Sequence, residues 1–214
     1  MRYIDFEIKT GKENMQIDSD LLDFAIENKL EEPIFRLYGW SPACISLGRN
    51  QRAEFLETNL KAKDLPYVRR LTGGRALLHD DEITYSYICP QDGSSVKESY
   101  KKISQILVDG FARLGIELTF GGKTSTGNHS ARNYCMLVST GADLCYQGKK
   151  LIGSAQFRKE GYILQHGSIL YSYNRELLEE IFAEPVDTTA ITCIKEINPK
   201  ITREDIITQF CNKT

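Results

Sequence analysis

One short segment concentrates residues that can hold an anion or a polarised carbonyl group. It runs from Arg69 to His79 and reads RRLTGGRALLH. The two glycines of its Thr-Gly-Gly turn let backbone N–H groups approach such a group closely, and the flanking arginines supply positive charge. The same residues also fit a β-hairpin turn with solvated arginines, because Gly-Gly is a common hairpin signal. On spacing alone, both interpretations stay open.

Two further segments combine glycine with small and polar residues. Segment 148–156 reads GKKLIGSAQ, and segment 164–170 reads LQHGSIL. Glycines beside small residues indicate a backbone that another group must approach closely. Taken alone, neither segment identifies a site.

Several well-known site motifs are absent. A phosphate-binding loop needs a glycine five residues before Gly122, where Glu117 stands. No G-x-G-x-x-G or G-x-S-x-G motif occurs, so the sequence supports neither a dinucleotide-dependent oxidoreductase nor a serine hydrolase. His79, His129 and His166 have no metal-ligand spacing with each other or with the cysteines, so we expect no metal site.

The composition is that of a folded protein of one domain, residues 1–214. With 41% hydrophobic residues and a formal net charge of −2, the chain has no overall attraction to nucleic acid or to an anionic membrane. No stretch approaches the ~18 consecutive apolar residues of a membrane span, and the N-terminus lacks the apolar core of a signal peptide. Six scattered cysteines without C-x-x-C pairs indicate reduced thiols. We therefore expect a cytoplasmic protein.

Charge is unevenly distributed along the chain. Residues 13–32 carry seven acids and one lysine, a net charge of −6 that predicts a solvated helix face. Residues 47–75 carry a net charge of +4, and four bases between 149 and 159 add to it. If these two basic segments meet in space, they form a basic surface on a nearly neutral protein.

The elements that must position these residues follow from the spacing of apolar side chains. Spacings of three and four predict helices over 17–25, 100–114, 175–183 and 203–211, the last capped by Thr202. Short runs rich in β-branched and aromatic residues predict strands at 34–38, 44–47, 67–71, 82–89, 117–120, 142–146 and 162–171. Strands that follow one another without helices predict a mixed, largely antiparallel sheet packed with helices, in the α+β class. Segment 121–134 is predicted to be a mobile loop.

Three motifs in this order resemble those of a known family. They are R-R-x-T-G-G-R-A-x-L-H, G-K-K-x-x-G-S-A-Q and x-Q-H-G-S-I-L. They are similar to the motifs of the biotin/lipoate A/B protein ligase family, and within it the chain is most similar to the LipM-type octanoyltransferases. The resemblance covers nearly the whole chain and implies the biotin/lipoate ligase catalytic-domain fold.

The same resemblance implies an acyltransferase of protein lipoylation. Such an enzyme moves an octanoyl group from octanoyl-acyl carrier protein to a lysine of a lipoyl-accepting domain, such as the glycine cleavage H protein, without a cofactor. The family's thioester-forming cysteine corresponds to Cys135, and not to Cys145, while its invariant lysine corresponds to Lys150. We also expect a monomer. The implied substrate-binding residues are Arg70, Thr72, Gly73, Gly74, Arg75, His79, Gly153, Ser154, Ala155 and His166.

These roles are chemically reasonable, but each residue also has a simpler interpretation. A thiol with a pKa of ~8.5 is mostly protonated at neutral pH, so an ammonium group at Lys150 would favour the thiolate and could bind the oxyanion. Lys150 could also carry the proton of the acceptor lysine. Alternatively, Cys135 is a buried small hydrophobe and Lys150 an exposed lysine on a turn. For His79 we favour anchoring of the Thr-Gly-Gly loop over proton transfer, and His166 either contacts the site or packs beneath it.

Two other functions fit part of the sequence. An ATP-dependent lipoate–protein ligase, which acts through lipoyl-adenylate, shares the Gly-Gly and G-K-K motifs. Cys135, the Thr-Gly-Gly-Arg form of the loop and the short chain, with no room for an additional C-terminal domain, speak against it. A non-catalytic acyl-carrier-binding module would leave the presence of both Cys135 and Lys150 unexplained.

Overall fold

The computed structural model describes residues 1–59, 62–122, 134–136 and 141–211. Most of the predicted loop 121–134 lies outside these residues. The described strands are β1 (Arg2–Lys9), β2 (Ile34–Trp40), β3 (Cys44–Leu47), β4 (Tyr67–Arg69), β5 (Leu77–His79), β6 (Glu82–Pro90), β7 (Thr119–Phe120), β8 (Leu144–Tyr146), β9 (Lys149–Lys159) and β10 (Tyr162–Leu170).

The strands form two sheets. The larger sheet has the order β1-β2-β6-β10-β9-β8-β7, and the smaller one has the order β4-β3-β5. In the larger sheet only β1 and β2 pair in parallel, and in the smaller sheet β3 and β4 do. The predicted α+β class with a mixed, largely antiparallel sheet is therefore confirmed.

Four of the six helices of the described residues begin at a side chain that accepts a hydrogen bond from an N–H group of the first turn. The six helices are α1 (Gly11–Glu27), α2 (Glu54–Thr58), α3 (Val96–Arg113), α4 (Arg175–Phe182), α5 (Ile194–Ile197) and α6 (Arg203–Cys211), with a short 3₁₀ helix at Ala62–Asp64. Capping boxes begin α1, with Thr10 and Glu13, and α3, with Ser95 and Glu98. The predicted cap of α6 is present, because the Thr202 hydroxyl accepts a hydrogen bond from the Asp205 N–H group.

The larger sheet lies between helices. On one face, Leu22 and Ala25 of α1 pack with apolar residues of β2, β6 and β10. On the other face, α6 packs on β1 and β2 and against α3. The Phe210 ring lies so close to Gly110 that a Cβ atom at Gly110 would come within 2.1 Å of it. This contact lets α3 and α6 approach each other closely over the main apolar core.

Three sequence-based expectations need correction. The acids of α1 do not all lie on a solvated face: Asp18 is 2% exposed and faces the sheet, because buried arginine and histidine side chains are its partners. Lys150 does not lie on a turn, because only the glycine of the G-K-K motif lies in the two-residue turn between β8 and β9, with φ of 81°. The predicted strands lacked β1, β5 and β9, and β9 was missed because its glycine and small residues gave no β-branched pattern.

Candidate active site

The floor of the site is a strip of polar side chains on one face of the larger sheet. Because side chains alternate between the faces of a strand, residues on the opposite face, such as Leu37 and Tyr85, enter the apolar core. All members of the strip are at most 5% exposed, and they are Arg36, Tyr38, Thr84, Ser86, His166 and Ser168. Hydrogen bonds fix the side chains of five of these residues, while the buried Ser86 hydroxyl has no hydrogen-bond partner among the described residues.

The Thr-Gly-Gly loop is not a hairpin turn. It connects β4 to β5, and these strands lie on opposite sides of β3. Its backbone also contacts the chain just after β3, where a Cβ atom at Gly48 would lie 1.9 Å from the carbonyl oxygen of Gly74. Gly74 itself has a φ of 96°, in the region that favours glycine. Of the two interpretations of the loop, the hairpin is therefore excluded.

Arg70 holds this loop from inside the protein. Its Nη1 donates to the carbonyl oxygen of Ser46 (2.8 Å) and to the hydroxyl of Ser46 (2.7 Å). Its Nη2 donates to the carbonyl oxygens of Gly73 (3.1 Å) and Arg75 (2.9 Å). Burial lowers the pKa of Arg70. The guanidinium group thus fixes the loop conformation and is not a solvated charge.

His79 lies below the loop in a chain of hydrogen bonds. Its Nδ1 is 2.5 Å from Oε1 of Glu82, and its Nε2 is 2.6 Å from the hydroxyl of Ser46, which also binds Arg70. The indole of Trp40 stacks on the imidazole ring, with centroids 3.7 Å apart. Burial lowers the pKa of His79. With both ring nitrogens engaged, His79 is suited to anchoring the loop, which favours the structural role.

His166 on β10 connects α1 to the loop. Its Nε2 is 2.7 Å from Oγ1 of Thr72, and its Nδ1 is 3.4 Å from Oδ2 of Asp18. Asp18 also accepts a hydrogen bond from the Tyr38 hydroxyl (2.9 Å) and pairs with Arg36 (3.1 Å). Burial acts to raise the pKa of Asp18, but the hydrogen bond from His166 and the charges of His166 and Arg36 keep it below its ordinary value. Asp18 is therefore ionised, and it holds His166, Tyr38 and Arg36 in place inside the protein.

The backbone of Cys135 is hydrogen-bonded to Ala76, the residue after the Thr-Gly-Gly-Arg segment. Its N–H group donates to the carbonyl oxygen of Ala76 (2.9 Å), and Tyr134 forms a parallel bridge with the same residue. The ring of Tyr134 stacks on Phe182 of α4, with centroids 4.7 Å apart. These contacts place a partly buried thiol beside the loop.

Lys150, at the start of β9, is only 2% exposed, so it is not a solvated lysine on a turn. Its Nζ lies 3.1 Å from Oδ2 of Asp143 and donates to the carbonyl oxygen of Cys135 at 3.3 Å. Its backbone is held as well, because its N–H group donates to Ala190 and its carbonyl accepts from Thr192. A buried ammonium group is thus fixed directly behind Cys135.

These elements enclose a cleft with an empty volume of about 470 Å³, which includes space open to solvent. Nine predicted residues line it, namely Arg70, Gly73, Gly74, His79, Cys135, Gly153, Ser154, Ala155 and His166. The other three, Thr72, Arg75 and Lys150, do not line it. Thr72 and Lys150 are buried behind the wall, and the carbonyl oxygen of Arg75 accepts a hydrogen bond from Arg70. Sequence reasoning missed the lining residues Met15, Trp40, Leu77, Thr84, Gly167 and Ser168.

The missed residues were detectable only in part. Thr84 and Ser168 alternate with apolar residues along β6 and β10, and this period of two is the signal of a second buried face. Gly167 permits close packing, because a Cβ atom there would come within 2.4 Å of the carbonyl oxygen of Gly153. Asp143 and Glu82, which bind Lys150 and His79, belong to none of the motifs and gave no sequence signal.

The remaining cysteines differ from Cys135 in their surroundings. Burial raises the pKa of Cys44, Cys89 and Cys211 to about 11, and it raises the pKa of Cys193 as well. Cys145 is 3% exposed on β8. Apart from Cys135, no cysteine of the described residues lines the cleft.

The two basic segments do meet, although they contribute fewer surface charges than the sequence indicated. The guanidinium group of Arg49 lies over the ring of Phe157 on β9, 5.2 Å from its centroid. Arg70 and Lys150 are buried, however, so neither contributes to a basic surface. Arg69 remains exposed, and its Nη1 donates to carbonyl oxygens of residues 48, 49 and 51.

In the part of the chain that the structure describes, no helix combines the length and apolar character needed to cross a bilayer. Nor does any group of three or more His, Cys, Asp and Glu side chains there have the arrangement of a metal site.

Comparison with known proteins identifies relatives along most of the chain. The family described as lipoyl protein ligase A/B catalytic domain matches residues 10–214. The octanoyltransferase LipM of Geobacillus kaustophilus is 40% identical over 196 residues, covering 86% of this chain and 70% of that protein. The octanoyltransferase LipM of Bacillus subtilis is 38% identical over the same length, with the same coverage of both chains.

Solved structures show the same fold. A lipoate-protein ligase A bound with ATP superposes with a TM-score of 0.74 at 19% identity, covering 98% of this chain and 81% of that one. The bipartite lipoate protein ligase from Thermoplasma acidophilum gives a TM-score of 0.67 at 18% identity, with the same coverage. At these identities the likeness concerns the fold alone.

Proposed function

The chain belongs to the lipoyl protein ligase A/B catalytic domain family and is an acyltransferase, and we propose that it transfers an octanoyl group through a thioester on Cys135. The donor is octanoyl-acyl carrier protein, and the acceptor is a lysine of a lipoyl domain or of the glycine cleavage H protein. One observation carries the proposal: Cys135 lines the cleft beside the Thr-Gly-Gly loop, with the Lys150 ammonium group on its carbonyl oxygen.

In the first step the Cys135 thiolate attacks the donor thioester carbonyl. A carbon–sulfur bond forms to Cys135, the bond to the carrier thiol breaks, and the departing thiolate takes up a proton. Because one thioester replaces another, the acyl group stays activated without ATP. A cation near Cys135 would stabilise the thiolate by charge attraction. This matters because only the thiolate is nucleophilic. Lys150 is suited to this role, and Arg70, which lines the same cleft as Cys135, adds positive potential.

Backbone and side-chain donors near Cys135 are suited to stabilising the tetrahedral intermediate. Fixed donors in a cleft with little water stabilise an oxyanion more strongly than donors in water do. Gly73, Gly74 and Gly153 line the cleft and have no side chains that would block access to their backbone. We assign the loop this role, and we assign Arg70 and Thr72 the task of holding the loop in position.

The apolar part of the cleft is suited to the octanoyl chain. The side chains of Met15, Trp40 and Leu77 line it. Each buried methylene contributes about 0.8 kcal/mol, so a chain of this length gains binding free energy from a mainly apolar wall.

In the second step the acceptor lysine attacks the thioester on Cys135 as a neutral amine. A carbon–nitrogen bond forms and the carbon–sulfur bond breaks. The amine loses a proton, and the departing Cys135 thiolate takes one up. The acceptor protein carries the amide away, and the thiol is restored. We place this cycle in the cytoplasm, with the chain acting as a monomer.

The exposed basic residues beside the cleft are suited to an acidic carrier protein. Arg49 and Arg69 lie on the same side as the Thr-Gly-Gly loop, and Arg49 contacts the strand that carries Gly153 and Ser154. Complementary charge increases the rate of encounter more than it increases the final affinity.

The test is an intact-mass measurement after incubation with octanoyl-acyl carrier protein in the absence of ATP. We expect one octanoyl adduct that hydroxylamine removes and that the Cys135→Ala variant does not form. Cys145→Ala is the matched control and should still form it. An adduct that survives Cys135→Ala contradicts the mechanism. Modification of an acceptor domain only with ATP and free lipoate would instead establish a ligase, and donor binding without any transfer would establish a binding module.

A further inference from the structure

We infer that Asp143 is a positioning residue that holds the Lys150 ammonium group, in its charged form, against the carbonyl oxygen of Cys135. The inference rests on the proposed function and extends it by one residue. Asp143 belongs to none of the three motifs, and only the folded structure brings it to the site.

Asp143 and Lys150 form a buried ion pair. Oδ2 of Asp143 lies 3.1 Å from Nζ of Lys150, and the two side chains are 3% and 2% exposed. The other carboxylate oxygen, Oδ1, accepts a hydrogen bond from the N–H group of Ser154 at 3.4 Å. Asp143 therefore contacts both the lysine behind Cys135 and the strand that forms the cleft wall.

The backbone of Asp143 is fixed independently of this pair. Its carbonyl oxygen accepts a hydrogen bond from Gly121 (2.8 Å), directly before the short strand β8. The wall beyond Ser154 is also ordered, because the hydroxyls of Ser154 and Tyr85 are 2.7 Å apart. The carboxylate thus approaches Lys150 from a rigid support, as a group that positions another side chain must.

Burial makes a nearby counter-charge important for Lys150, which is 2% exposed. An ammonium group removed from water loses its hydration, and buried lysines without a counter-charge favour the neutral amine. An adjacent carboxylate offsets that loss and favours the ammonium form. With Asp143 present, Lys150 can donate hydrogen bonds and attract the Cys135 thiolate. A neutral amine would supply no charge for either purpose.

The sequence left two roles open for Lys150, namely charge stabilisation and proton transfer, and the ion pair with Asp143 favours the first. An ammonium group has no lone pair, so a lysine kept charged by a carboxylate 3.1 Å away cannot take up another proton. The inference therefore assigns Lys150 to hydrogen-bond donation and charge stabilisation in both steps, and not to carrying the proton of the acceptor lysine.

A double-mutant cycle tests whether Asp143 acts through Lys150. Wild type, Asp143→Asn, Lys150→Met and the double variant are compared in single-turnover acylation of Cys135 by octanoyl-acyl carrier protein, followed by intact mass. We expect Asp143→Asn to slow acylation by about tenfold or more, with the half-saturating donor concentration unchanged within about twofold. The double variant should react at the rate of Lys150→Met, because no charged lysine remains to be positioned.

Two results would overturn the inference. One is an Asp143→Asn rate within about twofold of wild type. The other is a double variant that is slower than Lys150→Met by the full factor that Asp143→Asn shows alone, since independent structural effects multiply. If Asp143→Asn alone does not fold, the double variant, which removes both charges of the pair, still allows the comparison with Lys150→Met.

A second measurement needs no acyl donor. Iodoacetamide alkylates Cys135 at a rate set by its thiolate fraction. We expect slower alkylation in Asp143→Asn than in wild type, and a rate at or above that of wild type contradicts the inference. Asp92→Asn is the matched control, since it removes an exposed partner of Lys102 and should react like wild type. Failure of wild type to accept an octanoyl group would count against the proposed function. The alkylation rates would still test whether Asp143 positions Lys150.

Discussion

Oγ1 of Thr72 lies 2.7 Å from Nε2 of His166, and this hydrogen bond joins the Thr-Gly-Gly loop to the polar floor of the larger sheet. Thr72 is fully buried and does not line the cleft. Its hydroxyl therefore fixes the position of the glycines that follow it. The loop is held from both ends, by His166 through Thr72 and by Arg70 through the carbonyl oxygens of Gly73 and Arg75.

Replacing Thr72 by Val should destabilise the protein. The substitution preserves shape but leaves Nε2 of His166 without this hydrogen bond in a buried position, which costs about 1–3 kcal/mol. The free energy of unfolding in urea measures the effect. Thr72→Ser retains the hydroxyl and is the matched control. Equal stability of the Val and Ser variants would show that the hydrogen bond contributes nothing.

Asp18→Asn should have a larger effect, because it leaves the buried Arg36 without its ionic partner. Loss of one member of a buried pair typically costs about 3–5 kcal/mol. Asp23→Asn removes the half-exposed partner of Lys159 and should cost less than about 1 kcal/mol. Similar losses in both variants, measured by urea denaturation, would show that the Asp18 pair has no special contribution.

The contribution of Asp18 should also depend on pH. Its pKa is lowered in the folded protein, so the carboxylate stabilises the fold fully at pH above its ordinary value of 3.8. This contribution is lost as the pH falls from that value through the lowered pKa. The stability difference between wild type and Asp18→Asn should therefore narrow below about pH 4. Urea denaturation at several pH values checks this, and a constant difference is the contrary result.

Gly48→Ala should disturb the loop directly. The added methyl group would lie 1.9 Å from the carbonyl oxygen of Gly74, so backbone must shift. Such overpacking costs about 1–3 kcal/mol or more, and we expect slower adduct formation on Cys135 as well. Gly122→Ala, where a Cβ atom would meet nothing within 4 Å, is the control. Thermal unfolding of the two variants gives the comparison, and equal melting temperatures would contradict the contact.

Arg49→Glu should weaken docking of the carrier and leave the chemistry intact. We expect the KM for octanoyl-acyl carrier protein to rise several-fold and to become less sensitive to salt, because a charge at the edge of the interface acts mainly on association. Turnover of a small octanoyl thioester without a carrier protein should remain at the wild-type rate. An equal loss with both donors would mean that Arg49 acts on the cleft itself.

The sequence predicted the local elements better than the contacts between them. Helices with regular apolar spacing, such as 100–114, occur where expected, and strand 44–47 has the expected bounds. Strand β9 was missed because Gly153, Ser154 and Ala155 have low strand propensity, and pairing with β8 and β10 overrides it.

The candidate site was predictable where chemistry lies in a motif and not where it depends on distant residues. Cys135 and the glycines were found from motif resemblance, and the structure places them in one cleft. Asp18 and Asp143 were not found. The sequence around Asp18 is rich in acids, and nothing local distinguishes the one that faces the sheet. Only pairing with Arg36 and Lys150, across the fold, distinguishes these two carboxylates.

The backbone of Lys150 is hydrogen-bonded to Ala190 and Thr192, about forty residues further along the chain. During synthesis, the residues of the cleft therefore leave the ribosome well before the segment that fixes this lysine. The cleft wall can form early from β6, β9 and β10, but the backbone of Lys150 is held only after the segment around Ile191 has folded back onto the edge of β9. Completion of the reactive centre is thus linked to folding of the segment that follows β10, although no described residue after Ser168 lines the cleft.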